Sequence, residues 1–266
     1  MIESSAGPSR TRKALTTLDF LVVQDCFLTE TAALAHVVLP SVTFAEKEGT
    51  FTNVERRVQR VRAALQPNGE AKPDLWIFQE LAKAFGAPWR RISAKSVMDE
   101  IRGLVPLYGG MDYARLEFSG LQWPCPLPDH PGTSILYEKD FHGKKGKFTP
   151  VELKEAINGT ESDFFLITGP TLFHSGTLSA MSPGLMGLQG ESFVEMYLED
   201  AHRLGLPDGQ KVNLISEYGQ VTVRIVVSKK AAPGVLFIPY HFRPNGAHQL
   251  TGWDLDISRV KIGKIE

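Results

Sequence analysis

Cysteine is scarce in this chain: Cys26 and Cys125 are the two thiols among 266 residues. Two thiols cannot ligate an iron–sulfur cubane, and their spacing makes no C-x-x-C pair. Nothing supports a disulfide, so two reduced thiols are expected, as in a cytosolic protein. Excess charge of either sign is also missing, with 29 Lys and Arg against 30 Asp and Glu. That balance excludes a whole-molecule field for nucleic acid or anionic membrane. No segment approaches the roughly 20 apolar residues that cross a bilayer. The start, "MIESSAGPSRTRKAL", lacks the apolar core of a signal peptide. The expectation is a soluble, cytoplasmic protein with no nucleic-acid partner and no transmembrane segment. Familiar enzyme signatures are absent too: there is no G-x-x-x-x-G-K-[ST], G-x-G-x-x-G, H-E-x-x-H or G-x-S-x-G.

What is present is globular, at 42% hydrophobic and 22% charged, enough to bury a sizeable core. "DFLVVQD" (Asp19 to Asp25) reads as a strand whose continuous run, Phe20 to Val23, suits burial on both faces. Thr29 or Thr31 can cap a short helix after it, and "HVVLP" reads as a second short strand. Strand, helix and strand in close succession form a compact α/β unit, in which ligands meet the carboxyl ends of strands. Asp25 and Thr29 occupy that place. "PDLWIFQELAKAFG" predicts a helix capped by Asp74 and closed by Gly86, with Trp76, Ile77, Leu81 and Phe85 as a core-facing stripe. A further helix is expected over about Ala94 to Leu104, with Val97, Ile101 and Leu104 on one face.

From Pro106 to Pro150 the proline-rich "LQWPCPLPDHPG" and the lysine-rich "FHGKKGKF" predict an irregular connector. Beyond Asp163 the pattern turns to β: "DFFLITG", "FVEMY", "KVNLIS", "QVTVRIVV" and "GVLFIPYHF" read as strands around one short helix, "LEDAHRLG", and suggest a barrel. The division between the two parts is expected within Glu152 to Asp163. His174 and His241 lie beside apolar residues of the β part, where a lone histidine is more often packed than catalytic. The stretch "AEKEGTFTNVERRVQR" (Ala45 to Arg60) stays open at this level. Val54, Val58, Val61 and Leu65 recur at helical spacing, yet "GTFTN" is turn-rich and β-branched. Arg56, Arg57, Arg60 and Arg62 could grip phosphate, or could pair with Glu46, Glu48 and Glu55 on a solvated face.

Taken together, "VVQDCFLTETAALAHVVLP", "AEKEGTFTNVERRVQRVRAAL", "GEAKPDLWIFQELAKAFG", "LQWPCP" and "FHSGTLSAMSPGL" resemble the C-terminal portion of molybdopterin oxidoreductases. Formate dehydrogenase alpha chains and the large G subunit of NADH:quinone oxidoreductase are the nearest in look. The resemblance covers nearly the whole chain from Leu18. It implies an α/β fold followed by mostly β: the end of a Rossmann-like α/β domain over residues 1–155, and a C-terminal double-psi β-barrel, the dinucleotide-binding domain, over residues 156–266.

The resemblance also implies roles. Asp25, Thr29 and Asp99 match positions that meet the guanosine end of a pterin dinucleotide, where a carboxylate can accept two N–H donors. Phe173, His174, Ser175, Gly176 and Thr177 match a loop that meets the pterin and its pyrophosphate. The implied cofactor is molybdopterin guanine dinucleotide with Mo or W, held together with an N-terminal half or partner subunit that carries the iron–sulfur clusters and the catalytic Cys or Sec. Other subunits of an oxidoreductase complex are implied as partners. No iron–sulfur cluster and no catalysis are expected of this chain by itself. The sequence departs from the family where Pro170 follows Thr168 and Gly169 in place of arginine, where His248 replaces an asparagine, and where the terminal Pro-Glu-Tyr-Lys is absent. These departures keep two other readings open: a cofactor-free structural module of a respiratory complex, and a stand-alone nucleotide- or anion-binding module. The family's hairpin is expected over Thr50 to Gln59.

Overall fold

The computed structural model describes residues 2, 5, 7–89, 92–138, 141, 146–150, 163–243, 246–252 and 258–265. In chain order the elements are α1 (Pro8–Thr16), β1 (Val22–Asp25), β2 (Val37–Pro40), β3 (Gly49–Thr52), β4 (Arg57–Val61), α2 (Asp74–Ala84), α3 (Ala94–Leu104) and β5 (Leu121–Gln122). They continue with β6 (Phe164–Gly169), α4 (Pro183–Leu188), β7 (Phe193–Tyr197), α5 (Leu198–Leu204), β8 (Lys211–Ile215), β9 (Gln220–Ser228), β10 (Val235–Pro239) and β11 (Arg259–Lys264). The chain divides into two compact units: Met1–Leu21, Thr29–Ala35 and Lys154–Glu266 form one, Val22–Leu28 and His36–Leu153 the other. The first 21 residues and the segment Thr29–Ala35 thus group with residues of the barrel. The expected division between residues 155 and 156 lies outside the described residues.

The barrel unit is a closed sheet in the order β10-β6-β11-β8-β9-β7. Its ladders mix two parallel pairs, β10 with β6 and β7 with β9, with antiparallel ones, so both kinds of hydrogen-bond pattern run round one barrel. Alternation in the sequence fixes which side chains enter. Val194 and Met196, Val212 and Leu214, Val221, Val223 and Ile225, Leu236 and Ile238 all point inward and are buried. This is the double-psi class of barrel that the resemblance implies. α5 ends on Gly205 at φ 62, as its sequence predicts.

Two elements of this unit were not foreseen. α1 has no apolar stripe; Pro8 starts it and Thr11 is its buried residue. β11 closes the barrel from a sequence, "RVKIGK", too short and too basic to stand out.

Asp200 in the first turn of α5 is buried, accepts the Gly234 N–H at 2.8 Å and pairs with Arg203 at 2.8 Å. Asp200→Ala strands that N–H and removes an anion from a helix start, so it is expected to cost about 2 kcal/mol. Urea denaturation of the variant reads this directly.

In the α/β unit, β1 and β2 pair in parallel but as a sheet of two strands. The expected double-sided burial is therefore not realised: Phe20 and Val22 are exposed, because parallel strands are covered only when helices and further strands flank them. α2 starts at Asp74, which is the first helical residue and not the cap; its carboxylate instead bonds Gln24 and Lys47. Gly86 at φ 74 ends the helix with paired bonds from its own N–H to Lys83 O and from Ala87 N–H to Ala82 O. The expected core stripe is corrected: Ile77 is buried, but Trp76 and Phe85 are exposed. α3 has the expected bounds and is capped by Ser93 and Ser96. It buries Met98, while Leu104 is exposed.

The proline-rich connector is irregular, as expected, yet it is not a linker. Met111, Tyr113, Leu116 and Cys125 from it form this unit's core with Val58 and Met98. Both cysteines are free.

Candidate functional site

β3 and β4 form the expected antiparallel hairpin, with Thr50 opposite Arg60. Asn53 fixes the turn: its Oδ1 accepts from Glu55 N–H (2.9 Å) and Arg57 N–H (3.0 Å), and Arg56 takes φ 64. The helical reading of this stretch fails because Val54 lies on the turn, 99% exposed.

The hairpin's arginines are committed to protein groups. Arg56 donates to the carbonyls of Trp123, Thr133 (3.1 Å) and Ser134 (3.2 Å) and stacks on the Trp123 ring. Arg60 bridges Glu48 and Glu117 above the Tyr113 ring, and Arg62 pairs with Glu117 at 2.6 Å. Glu117 is the partner that sequence spacing missed. Glu46 instead caps the turn Phe44–Glu46 from Thr43, and those bonds hold its carboxyl below the usual range.

Asp25 ends β1, where its Oδ1 accepts the Phe27 N–H at 3.2 Å and its backbone carbonyl takes the Ser41 N–H. It is half-buried, leaving carboxylate acceptor capacity at the strand's carboxyl end. Burial, with the Asp25 charge second, raises the adjacent Cys26 thiol above its usual pKa. Asp99 lies on α3 and is held by Lys95 (2.7 Å) and Arg102 (3.3 Å); the Lys95 bond, first, keeps its carboxyl below the usual range. No bond links Asp25 to Asp99 among the described residues.

In the barrel unit, Thr29 accepts the Ala32 N–H on its hydroxyl (3.2 Å) and starts the turn Ala32–Leu34, a single 3-10 turn where a helix was expected. Thr31 accepts the Ile2 N–H instead.

The loop after β6 carries Phe173 to Thr177. His174 is its buried anchor. Its ring bonds Ser179 (3.2 Å) and the Gln189 carbonyl (2.9 Å), so both nitrogens serve the protein itself. His241 stacks on it with ring centroids 4.3 Å apart. Tyr240 donates to the Ser175 carbonyl (2.8 Å) and Ser179 to the Gly176 carbonyl (2.6 Å).

The carbonyls of His174, Ser175 and Gly176 are thus engaged, and the donors of Ser175 to Thr177 are not. Among the described residues, the N–H groups of Ser175, Gly176 and Thr177 and the hydroxyls of Ser175 and Thr177 have no partner. A Cβ at Gly176 would meet nothing within 4 Å, and its φ is not positive, so the chain's own packing does not require glycine there. Phe173 is exposed.

His241 has no partner for either ring nitrogen and His248 has none for Nδ1. Burial pushes both imidazoles down to about 4, helped at His241 by His174 and at both by Arg243. In the sequence His241 is a lone histidine beside apolar residues, and nothing there signals its stacking on His174. Tyr240, Ser179 and Gln189 carried no signal at all.

Among the described residues no group of three or more His, Cys, Asp or Glu is placed to hold a metal, and no helix is long and apolar enough to cross a membrane.

Comparisons with known proteins match both ends of the chain. The family model for molybdopterin oxidoreductase matches residues 2–84, and that for the molydopterin dinucleotide binding domain matches residues 164–258. The F420-dependent formate dehydrogenase 2 subunit alpha of Methanococcus maripaludis is 42% identical over 98% of this chain and 41% of its own length. The F420-dependent formate dehydrogenase subunit alpha of Methanocaldococcus jannaschii is 40% identical over 96% of this chain and 39% of its own length. The chain therefore spans about two fifths of the length of these relatives. Acetylene hydratase from Pelobacter acetylenicus shares the fold across 98% of this chain and 42% of its own, at a TM-score of 0.70 and 18% identity. Residues 2–84 thus carry a molybdopterin oxidoreductase domain and residues 164–258 a molydopterin dinucleotide binding domain.

Proposed function

We propose that this chain is a cofactor-clasping portion of a formate dehydrogenase-type oxidoreductase and binds molybdopterin guanine dinucleotide, without catalytic action of its own. The observation that carries this is the Ser175–Thr177 loop. It is held from behind by His174, Tyr240 and Ser179, and it keeps three N–H groups and two hydroxyls for an outside acceptor. Successive unpartnered backbone N–H groups and hydroxyls suit pyrophosphate oxygens, and a glycine that packing does not demand lets the chain come close to them.

In the α/β unit, Asp25 offers acceptor oxygens to the N–H edge of guanine. Asp99 can do the same through the lone pairs that Lys95 and Arg102 leave. The metal, Mo or W, supplies the redox chemistry when the cofactor is bound; the protein supplies position and field. The remainder of the active centre, with any iron–sulfur clusters, belongs to polypeptide matching the other three fifths of the relatives.

The test is co-expression with that polypeptide, followed by fluorescence of oxidised pterin and metal analysis. The expected result is pterin dinucleotide retained with Mo or W. Asp25→Ala and Ser175→Ala/Thr177→Ala should each lower its retention about tenfold or more, the scale of one or two charge-assisted hydrogen bonds. A stoichiometric protein complex with neither pterin nor metal would overturn the proposal in favour of a scaffold.

A further inference from the structure

We propose that the barrel carries a second anion site, for a small phosphate-bearing ligand, in the polar cavity lined by Lys211, Arg224, Arg243 and Ser192. It goes beyond the dinucleotide reading and shares no residue with it.

Lys211 on β8 lies directly opposite Arg224 on β9. Their neighbours Val212 and Val223 are buried in the barrel, so the two cations share its outer face. Like charges directly opposite on one face destabilise a ladder unless something neutralises them. Glu191 does so in part, accepting from Arg224 Nε at 3.0 Å. That leaves the two terminal nitrogens of Arg224 without a partner among the described residues, and Lys211 has none for its ammonium. Arg243 adds a third cation at the cavity wall; its Nη1 donates to the carbonyls of Tyr240 and Phe242 at 3.0 and 2.7 Å.

A neutral donor completes the set. The Ser192 hydroxyl is buried at its oxygen and has no partner, although it lines the same cavity. Buried hydroxyls are rarely left so, and the usual remedy is an acceptor from outside the chain. Among the described residues, Lys211 and Arg224 face the single carboxylate of Glu191, an excess of positive charge that specifies an anion. The planar fork of Arg224, open at its outer edge, suits tetrahedral oxyanions better than a point charge would. The cavity, about 210 Å³, is of the size of a phosphate or diphosphate group rather than of a whole dinucleotide.

The experiment is calorimetric titration of the full chain with inorganic pyrophosphate at constant ionic strength, run in parallel on the Ser175→Ala/Thr177→Ala variant. Binding is expected in both, so failure of the dinucleotide reading leaves this signal standing. Lys211→Gln and Arg224→Gln should each weaken it at least tenfold. Lys211→Gln also carries a signature that a purely structural lysine would not give. Without pyrophosphate its melting temperature should equal or exceed that of the parent, since a like-charge contact is gone. With pyrophosphate the parent's upward shift should be missing. No binding at millimolar pyrophosphate by folded parent protein overturns the proposal. So does binding that survives both charge variants, or that is lost only in the Ser175→Ala/Thr177→Ala variant.

Discussion

Acidification from pH 7 to pH 4 is expected to remove on the order of 6 kcal/mol from the stability of the barrel unit through two side chains, His241 and His248. Both are buried, and burial holds both imidazoles at about 4 in the folded chain. In the unfolded chain each returns to about 6.5. Above pH 6.5 they are neutral in both states and stability does not depend on them. As pH falls from 6.5 to 4, the unfolded chain takes up two protons that the folded chain refuses. Each unit of pH then costs about 1.4 kcal/mol per histidine, or about 3 kcal/mol per histidine by pH 4. Below 4 the folded chain protonates too and the slope flattens. The check is urea denaturation at a series of pH values on the parent and on His241→Phe/His248→Asn. The variant should lose up to two protons' worth of slope between pH 6.5 and 4. It should also be somewhat more stable at pH 7, because an apolar ring replaces an imidazole with two unpartnered nitrogens. An unchanged slope would show that neither histidine is held neutral by the fold.

The same residues show where sequence reading works and where it stops. The barrel strands were legible because alternation and burial coincide: "VEM" in β7 and "VTVRI" in β9 place every second side chain in the core. The hairpin was legible only in company with other motifs, since Val54, Val58, Val61 and Leu65 also satisfy a helical period. Asn53 and the left-handed Arg56 decide it, and such turn chemistry does not show in periodicity. The proline-rich connector misled in the other direction. Irregular backbone carries no periodic signal of burial, but Met111, Leu116 and Cys125 are fully or almost fully buried, held there by tertiary contacts of no fixed period. α2 reversed that error: a regular stripe does not bury itself, and Trp76 and Phe85 are exposed. At the candidate site, Ser175, Gly176 and Thr177 were named by resemblance. What the loop does with its hydrogen bonds needed Tyr240, Ser179 and Gln189, which reach it from other elements or later turns. The anion cavity was invisible for the same reason, because Lys211 and Arg224 are neighbours only through strand register.

Gly120→Ala is expected to cost about 3–5 kcal/mol, while Gly86→Ala costs about 1 kcal/mol, although both glycines hold a positive φ. At Gly86, φ is +74 and a Cβ would meet nothing within 4 Å, so the cost is the left-handed backbone alone. At Gly120, φ is +68 and a Cβ would lie 2.3 Å from the Val58 carbonyl oxygen and 3.1 Å from its carbon. Those are backbone atoms of a strand, which cannot rotate away as a side chain can. Val58 is the buried residue of β4 and pairs with Leu121 of β5, the residue after Gly120. Relief of the clash must therefore push β5 off β4. Such a shift disturbs Arg56, whose guanidinium ties the hairpin turn to Trp123, Thr133 and Ser134, and it opens the core around Met111 and Leu116. The measurement is paired urea denaturation of the two variants, with amide exchange of Val58 and Leu121 as the local readout. Equal losses would mean that backbone conformation, and not the close approach of β4, sets the requirement for glycine at 120. A larger loss at Gly120, with faster exchange confined to the β3–β4–β5 sheet, would show that this small sheet is held by one backbone contact that only glycine permits.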